Sequence, residues 1–444
     1  MNIAETLLDA VAESTAGHRH ILLAYSGGLD SSVLLHLLAA LRQRRGGVIR
    51  AAYVHHGLNA QADNWAEHCR RACQLWQVPF ASLPVTVETQ NGGVEAAARD
   101  ARYQALLAHL QSDEVLLTAQ HLDDQSETFL LALKRGSGPA GLSSMAARAT
   151  VGGHTLLRPL LGFSRQQLAQ YAVQHQLSWI EDSSNQDERF DRNFLRCRVL
   201  PLLTQRWPHF SAAVARSAQL CAEQELLLDE LLAESLQSLC RPDGALSIAG
   251  VLALSPARRF ALLRRWLAER GVPMPTRDQL HRLWHEVAAS RQDAEPVLQL
   301  GQWQIRRFRQ HLYVLPQMSS LKTCVLPWQP LSGALLLPEG LGSLALAEDG
   351  TAIRPPRAEE PVSIRFYARG TIRIVGRSHG RHIKKLWQEL GVPPWWRDRT
   401  PLVFYGEQPI AALGWFVTRE GQAQENEPCW HIAWRKSEAA HTEG

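Results

Sequence analysis

The chain has 444 residues, 45% hydrophobic and 20% charged, with a formal net charge of +4. That length provides for roughly two to four domains with cores of their own, and that composition excludes wholesale disorder. No apolar run reaches the roughly 18 residues that a membrane-spanning helix needs. The opening Met1 to Thr15 reads as an amphipathic helix without a basic flank or cleavage site. A cytoplasmic protein with no membrane contact is expected.

Seven cysteines lie at 69, 73, 197, 221, 240, 324 and 429, with no Cys-x-x-Cys pair among them. An odd, dispersed set suits reduced thiols better than a disulfide framework or a zinc site. Cys69 and Cys73 are one helical turn apart and read as core packing, with metal ligation as the alternative. The positive charge is unevenly placed. Arg258 to Arg309 holds eleven arginines against five acids, and Arg365 to Arg399 holds nine Lys or Arg against two acids. Both segments read as basic surfaces, or as ordinary solvated faces.

In chain order, the apolar run His20 to Ala24 enters Tyr25-Ser26-Gly27-Gly28-Leu29-Asp30-Ser31-Ser32, and a helix leaves at once. Backbone N–H groups at a helix start then face a loop with room for phosphate. Gly27 and Gly28 permit close approach, and Ser26, Ser31 and Ser32 offer hydroxyls. Asp30 would repel bare phosphate, so its presence suggests a shared Mg²⁺. An ordinary capped strand-to-helix turn is the alternative. No Lys follows the glycines, which removes the Walker reading.

Strand Ile49 to His55, a helix from Asp63 to Trp76, strand Phe80 to Val85, a helix from Val94 to Leu110 and strand Glu114 to Gln120 follow. Such alternation predicts a doubly wound parallel sheet whose ligands sit at the carboxyl ends of its strands. Ser26 to Ser31, His55 to Gly57 and His121 to Asp124 all fall at such ends. A Gly-rich stretch, Arg135 to Gly141, reads as a linker or a lid. Leu156 to Leu161 reads as a short strand, and Ser164 caps a helix to His175. A long helix from Pro208 to Cys240 carries Leu220, Leu227, Leu231 and Leu236 at apolar positions. Helices over Pro256 to Arg270 and Thr276 to Ser290 precede a hairpin-like pair, Pro296 to Leu300 and Gln304 to Leu315. After a loose region from Gln317 to Gly342, short strands gather around one helix, Ile383 to Leu390.

His121-Leu122-Asp123-Asp124-Gln125-Ser126-Glu127-Thr128 is the second dense stretch. Asp124 and Glu127, three apart, share a helix face. Capping explains part of the pattern; beside a phosphate loop, a metal or ammonium site explains the rest.

These stretches place the chain near known proteins. The loop at 26–31 resembles the PP-loop of the ATP pyrophosphatases, which cleave ATP to AMP and pyrophosphate. Together with His-His-Gly-Leu (55–58), Ala-Arg-Asp-Ala-Arg-Tyr (98–103), the acidic stretch at 121–128, Lys-Arg-Gly-Ser-Gly (134–138), Arg-Pro-Leu-Leu (158–161), Arg-Asn-Phe-Leu-Arg (192–196) and Gly380 to Trp387, it is similar to the bacterial tRNA(Ile)-lysidine synthetase family along the whole chain. Asn59 and Gln120 depart from that family's usual pattern. The resemblance implies a ligase that adenylates the wobble cytidine of tRNA(Ile) with anticodon CAU. Free L-lysine then displaces AMP, forming lysidine and changing reading from AUG to AUA and identity from Met to Ile. It implies ATP held by Ser26, Gly27, Gly28, Leu29, Asp30 and Ser31, and Mg²⁺ held by Asp30 and Asp124. Catalytic roles fall to Asp30, His121, Asp124 and Glu127, with His121 and Asp124 as candidate bases and Glu127 as the ammonium site. Arg99, Arg102, Arg192 and Arg196 would meet substrate, or be paired to acids such as Asp100 and Asp191. Arg377, Arg381, Lys384 and Lys385 would meet tRNA, beside Trp387, Trp395 and Trp396, whose rings read as core or as base-stacking platforms.

The expected architecture is an α/β PP-loop domain over residues 1–215, a mainly helical tRNA-binding domain over 216–320 and a small α+β tRNA-binding domain over 335–444, with a homodimer compatible. A PP-loop thiolase would need sulfur-relay or cluster cysteines, and an amidotransferase an ammonia source; neither is visible. A non-catalytic RNA-binding module would leave the acids at the strand ends without a purpose.

Overall fold

The computed structural model describes residues 2–57, 61–86, 94–291, 294–424 and 428–437. The chain divides into two compact units, Met1–Leu228 and Asp229–Gly444, with the division inside the long helix Phe210–Leu239.

In the first unit the strands are β1 (His20–Ala24), β2 (Val48–His55), β3 (Phe80–Pro84), β4 (Val115–Leu117), β5 (Arg148–Val151) and β6 (His154–Leu157). They form one sheet in the order β3-β2-β1-β4-β6-β5, parallel except for β5, which pairs antiparallel with β6. Side chains alternate across the sheet. Ile21 and Leu23, Ala51 and Tyr53, Val115 and Leu117 enter the core on one face, while Leu22, Ala52 and Val54, and Leu116 enter the core on the other. Both faces are therefore buried, as a parallel sheet requires. Helices α1 (Ile3–Ser14), α2 (Leu29–Arg45), α3 (Ala62–Leu75) and α7 (Arg165–Gln174) supply the first face, and α4 (Val94–His109) supplies Leu106 to the second. The expected doubly wound sheet is present. Cys69 and Cys73 are buried, and burial pushes both thiols up to about 12, the state of core thiols.

The chain runs outward from β1 to β2 and β3, then returns to the other side of β1 for β4. That reversal opens the crevice in which such sheets bind ligands. At its far end Arg50 holds Glu114 by two bonds of 2.7 Å, which keeps the buried carboxylate charged below its usual range although burial opposes this.

The second unit joins helices to antiparallel sheets. One core packs Leu262, Leu263, Trp266, Leu283 and Trp284 against Leu298, Ile305 and Leu312. The segment Gln304 to Leu315 is two strands, Trp303–Phe308 and His311–Pro316, turned at Arg309, whose φ is +54°. The loose region contains strands Val325–Pro327 and Leu335–Leu336, and an unexpected long strand, Ser343–Ile353, pairs with Trp430–Arg435. Trp387 and Trp395 are buried, so the core reading of these rings is the one observed.

Two further expectations are corrected. Along the long helix Leu236 is buried, but Leu220, Leu227 and Leu231 are exposed. Of the arginine-rich run at 258–309, Arg264 bonds the carbonyl of Pro275, Arg270 that of Gly244, Arg307 that of Ala288 and Arg259 those of Leu252 and Leu254. Much of that charge closes loops and helix ends instead of forming a free basic face.

Candidate active site

The loop between β1 and α2 is built around a helix start. Gly28 is the N-cap residue, and the first bond into the helix is from Ser32 N–H to Gly28 O at 3.0 Å. The amides of Leu29, Asp30 and Ser31 precede it and have no helical acceptor. The hydroxyls of Ser26 and Ser31 lie 3.1 Å apart, and Ser31 also donates to Gly28 O at 3.0 Å. Ser32 differs from its expected role. Its buried hydroxyl faces Tyr25 OH at 3.3 Å and Gly27 O at 3.4 Å, inside the core.

The two glycines have separate reasons. Gly27 has φ +76°, its carbonyl accepts from Ile180 N–H at 2.8 Å, and a Cβ there would stand 2.5 Å from Ile180 and 2.7 Å from Cys69. Gly28 has an ordinary φ of −72°, and a Cβ on it would meet only Ser26 Oγ at 3.6 Å. Gly27→Ala is expected to destabilise the fold by about 1–3 kcal/mol through strain and overpacking. Gly28→Ala should leave the melting temperature unchanged and weaken ATP binding by blocking backbone approach. Thermal melts and nucleotide titrations of the pair check this.

After β4, helix α5 (Leu122–Lys134) starts at His121, whose Nδ1 accepts from Asp123 N–H at 3.2 Å. A backbone N–H only donates, so Nδ1 is the acceptor and the neutral ring carries its proton on Nε2. Nε2 lies 3.6 Å from Asp30 Oδ2 and 3.4 Å from Asp124 Oδ2. His121 is 2% exposed. It stands between the two acids as a donor, with no lone pair to spare.

The neighbouring acids differ. Asp123 accepts from Arg165 N–H at 2.9 Å and from Ser211 Oγ–H at 3.1 Å, joining α5 to α7 and to the start of the long helix. Asp124 faces the crevice and bonds Arg196 at 3.0 Å. Glu127 is 0% exposed: Arg196 holds it at 2.7 and 3.0 Å, and Arg192 pairs with it at 3.2 Å. Both its oxygens are engaged, so this arrangement leaves Glu127 no free edge for an ammonium. Burial disfavours the Arg196 charge, but Glu127, Asp124 and Asp30 more than offset that and raise its pKa. Arg192 and Arg196 are thus paired with Glu127 and Asp124. Asp191 instead meets Lys134.

Ser26, Asp30, Ser31, Asp124, Arg99, Arg102 and Arg192 line one cavity of about 240 Å³, with Tyr103, Thr118, Gln120 and Met145 completing its wall. Gly27, Gly28, Leu29, His121, Glu127 and Arg196 do not line it. His56 faces Arg102, and burial followed by that charge lowers its pKa. Leu58 and Asn59 lie outside the described residues. Gln125, which the sequence did not single out, clamps the backbone of Met145 with bonds of 2.8 and 3.0 Å. It anchors the end of the Gly-rich segment, whose middle forms the short helix α6 (Pro139–Leu142). No local signal marks such a clamp, because its partner lies 20 residues away.

Asp30 Oδ1 is buried without a hydrogen-bond partner among the described residues. Burial raises the Asp30 pKa; His121 opposes the rise and Asp124 adds to it. No set of three or more metal-ligating side chains occurs among the described residues. One or two hard carboxylates beside a phosphate cradle is the donor set that Mg²⁺ accepts, with phosphate oxygens and water completing its shell. Asp30 and Asp124 fit that ion.

In the second unit Arg377 and Arg381 share Glu389, while Lys384 and Lys385 are exposed. No helix among the described residues is long and apolar enough to cross a membrane.

Three family models match the chain: a PP-loop domain over residues 1–203, a TilS substrate binding domain over 246–313 and a TilS substrate C-terminal domain over 362–434. A tRNA(Ile)-lysidine synthase from Pectobacterium atrosepticum is 72% identical, covering 98% of both chains. One from Serratia proteamaculans is 62% identical over 96% of this chain and 98% of its own, and one from Escherichia coli O157:H7 is 56% identical over 94% and 97%. A solved U34-tRNA thiolase from Methanococcus maripaludis overlaps 50% of this chain and 79% of its own at 12% identity, with a TM-score of 0.43. With identities this high over nearly its full length, the chain belongs to the tRNA(Ile)-lysidine synthase family.

Proposed function

We propose that this protein joins free L-lysine to the wobble cytidine of tRNA(Ile) with anticodon CAU, using ATP and releasing AMP and pyrophosphate. The observation that carries the reading is the cavity at the β1/β4 reversal, where a phosphate cradle and an acid pair meet, in a chain 72% identical to a tRNA(Ile)-lysidine synthase.

The amides of Leu29, Asp30 and Ser31 hold the departing pyrophosphate, aided by the helix dipole. Asp30 and Asp124 would hold Mg²⁺, which supplies charge neutralisation at the phosphates. The cytidine 2-carbonyl oxygen attacks the α-phosphorus and becomes a leaving group. The ε-amine of lysine then forms the C–N bond at C2 as the C–O bond to AMP breaks. Most of the acceleration comes from positioning and fixed charge. Lysine must lose a proton to attack. His121 has its acceptor nitrogen on the helix cap, and Asp124, which accepts from His121 N–H at 3.1 Å and from Arg196 at 3.0 Å, would take the proton only on leaving one of those bonds. Arg192 at the cavity wall suits the lysine carboxylate. Arg99 and Arg102 suit RNA or nucleotide phosphate, as do Lys384 and Lys385 in the second unit.

The test incubates protein with ATP, Mg²⁺, radiolabelled lysine and total tRNA, and counts acid-precipitable label that survives mild alkali. A stable label supports lysine bonded to a base through nitrogen. Label lost in alkali, or none, removes the reading.

A homodimer is also proposed. Leu220, Leu227 and Leu231 repeat along one side of the long helix, exposed by 56–65%, which is a stripe that a second helix would cover. Leu227→Glu should abolish dimerisation in sedimentation equilibrium; a wild-type monomer at all concentrations would remove this proposal.

A further inference from the structure

The cavity at the β1/β4 reversal holds about 240 Å³, less than the roughly 300–1,000 Å³ of pockets that take whole small molecules. It suits a single ring rather than a nucleotide. Ala24, Leu106, Ala119, Met145 and the Tyr103 ring give it an apolar wall beside the phosphate loop. Enzymes that react at a base of a nucleic acid take that base out of its stack into a snug pocket and read its hydrogen-bonding edge. Gln120 is placed to read such an edge. It lines the cavity, and its Oε1 accepts from the Thr118 hydroxyl. Thr118 is 6% exposed and its N–H bonds Leu157 O at 3.1 Å, so that hydroxyl stands on a fixed strand end. A carboxamide has one acceptor end and one donor end. With Oε1 turned to Thr118, both hydrogens on Nε2 are without a partner among the described residues. Other polar groups of the wall are already engaged: Asp124 and Arg192 in ion pairs, and Ser31 with Gly28 O.

We propose that the Gln120 amide donates to N3 of the wobble cytosine, and that this bond selects cytidine over uridine. This rests on the function proposed above. Cytosine N3 is an acceptor, whereas uracil carries a hydrogen there. A donor held in place by Thr118 therefore attracts one base and repels the other. A site built around one hydrogen-bond pattern rejects the mismatched partner because the groups on both sides are left unpaired. The product obeys the same logic. It reads A, whose N1 is an acceptor, so its own N3 presents a donor and Gln120 no longer holds it. The contact that admits the substrate thus favours release of the product.

The test uses the full-length protein and two tRNA(Ile) transcripts that differ only in carrying C or U at the wobble position. Pyrophosphate release gives kcat/KM for each, and the C-to-U ratio is the readout. The wild type should favour C by about 100-fold or more. Gln120→Leu should lower kcat/KM for the C transcript about 10-fold and cut the ratio by a similar factor. Gln120→Glu accepts where Gln donates, and should bring the ratio down to about one. Each ratio is read within one protein, so a general loss from added charge or poor folding cancels. Thr118→Val removes the hydroxyl that orients the amide and should lower the ratio with Gln120 still in place. Equal ratios in the wild type and the variants overturn the proposal. So does a raised KM for lysine at an unchanged ratio, which would put the amide on the lysine carboxylate. Lysine incorporation by the wild type is measured in parallel with the C transcript. Incorporation with unchanged ratios sinks the role of Gln120 alone, whereas no incorporation sinks the function it rests on.

Discussion

Asp30→Asn is expected to lower lysine incorporation by about 10³-fold or more, since it removes a carboxylate that would hold Mg²⁺ at the departing phosphates. The same change should raise the melting temperature of the ligand-free protein at neutral pH. Burial lifts the Asp30 pKa in the folded state above its unfolded value. The folded state therefore binds the proton more tightly, and stability falls as pH rises from the unfolded pKa through the folded one. At neutral pH the whole penalty of the buried charge is present; near pH 3 little of it remains. Asn carries no such charge, so the gain in melting temperature should appear at pH 7 and fade toward pH 3. Adding Mg²⁺ and ATP should reverse the order, because only the wild type then gains ligand stabilisation. Thermal melts at two pH values, with and without ligand, read all of this. A variant less stable than wild type at pH 7 without ligand would show that Asp30 is a structural residue.

Glu127→Ala is expected to cost about 3–5 kcal/mol, because it takes the buried counter-charge from Arg192 and leaves Arg196 with Asp124 alone. In a unit of this size that corresponds to a fall in melting temperature on the order of 10 °C. Glu127→Gln, which keeps the shape and one acceptor, should lose less. The double variant Glu127→Ala/Arg196→Ala should lose less than the sum of the single ones, since it removes both partners of one pair. Activity should fall in all of them, through Asp124, whose Oδ1 loses a fixed neighbour when Arg196 moves. A Glu127→Ala protein with wild-type stability would mean that the clamp contributes nothing to the fold.

Much of the first unit was legible because its signals are local. Strands buried on both faces read as apolar runs, and turn residues sit between them. The phosphate loop is a contiguous run whose helix start is set by its own backbone. Consequently the parallel sheet and a crevice at its carboxyl ends could be placed from Ser26 to Ser31, His55 to Gly57 and His121 to Asp124, whereas the reversal at β1 came only with the strand order. The second unit was less legible. Its short antiparallel strands have turns as brief as Arg309-Gln310, and Ser343–Ile353 pairs with a partner 77 to 92 residues away.

By itself the sequence determined the sheet, the cradle and the set of charged groups available for chemistry. Tertiary structure decided which charge does what. Asp123 and Asp124 are chemically identical neighbours, yet about 100° of helix rotation sends one to Arg165 and Ser211 and the other to Asp30. Glu127 has several cations within plausible reach, and only packing selects Arg192 and, 69 residues away, Arg196. The leucines of the long helix and the arginines of 258–309 followed the same rule. Periodicity and charge count say what a residue can do; the element packed against it decides whether that surface is buried, paired or left open to a ligand.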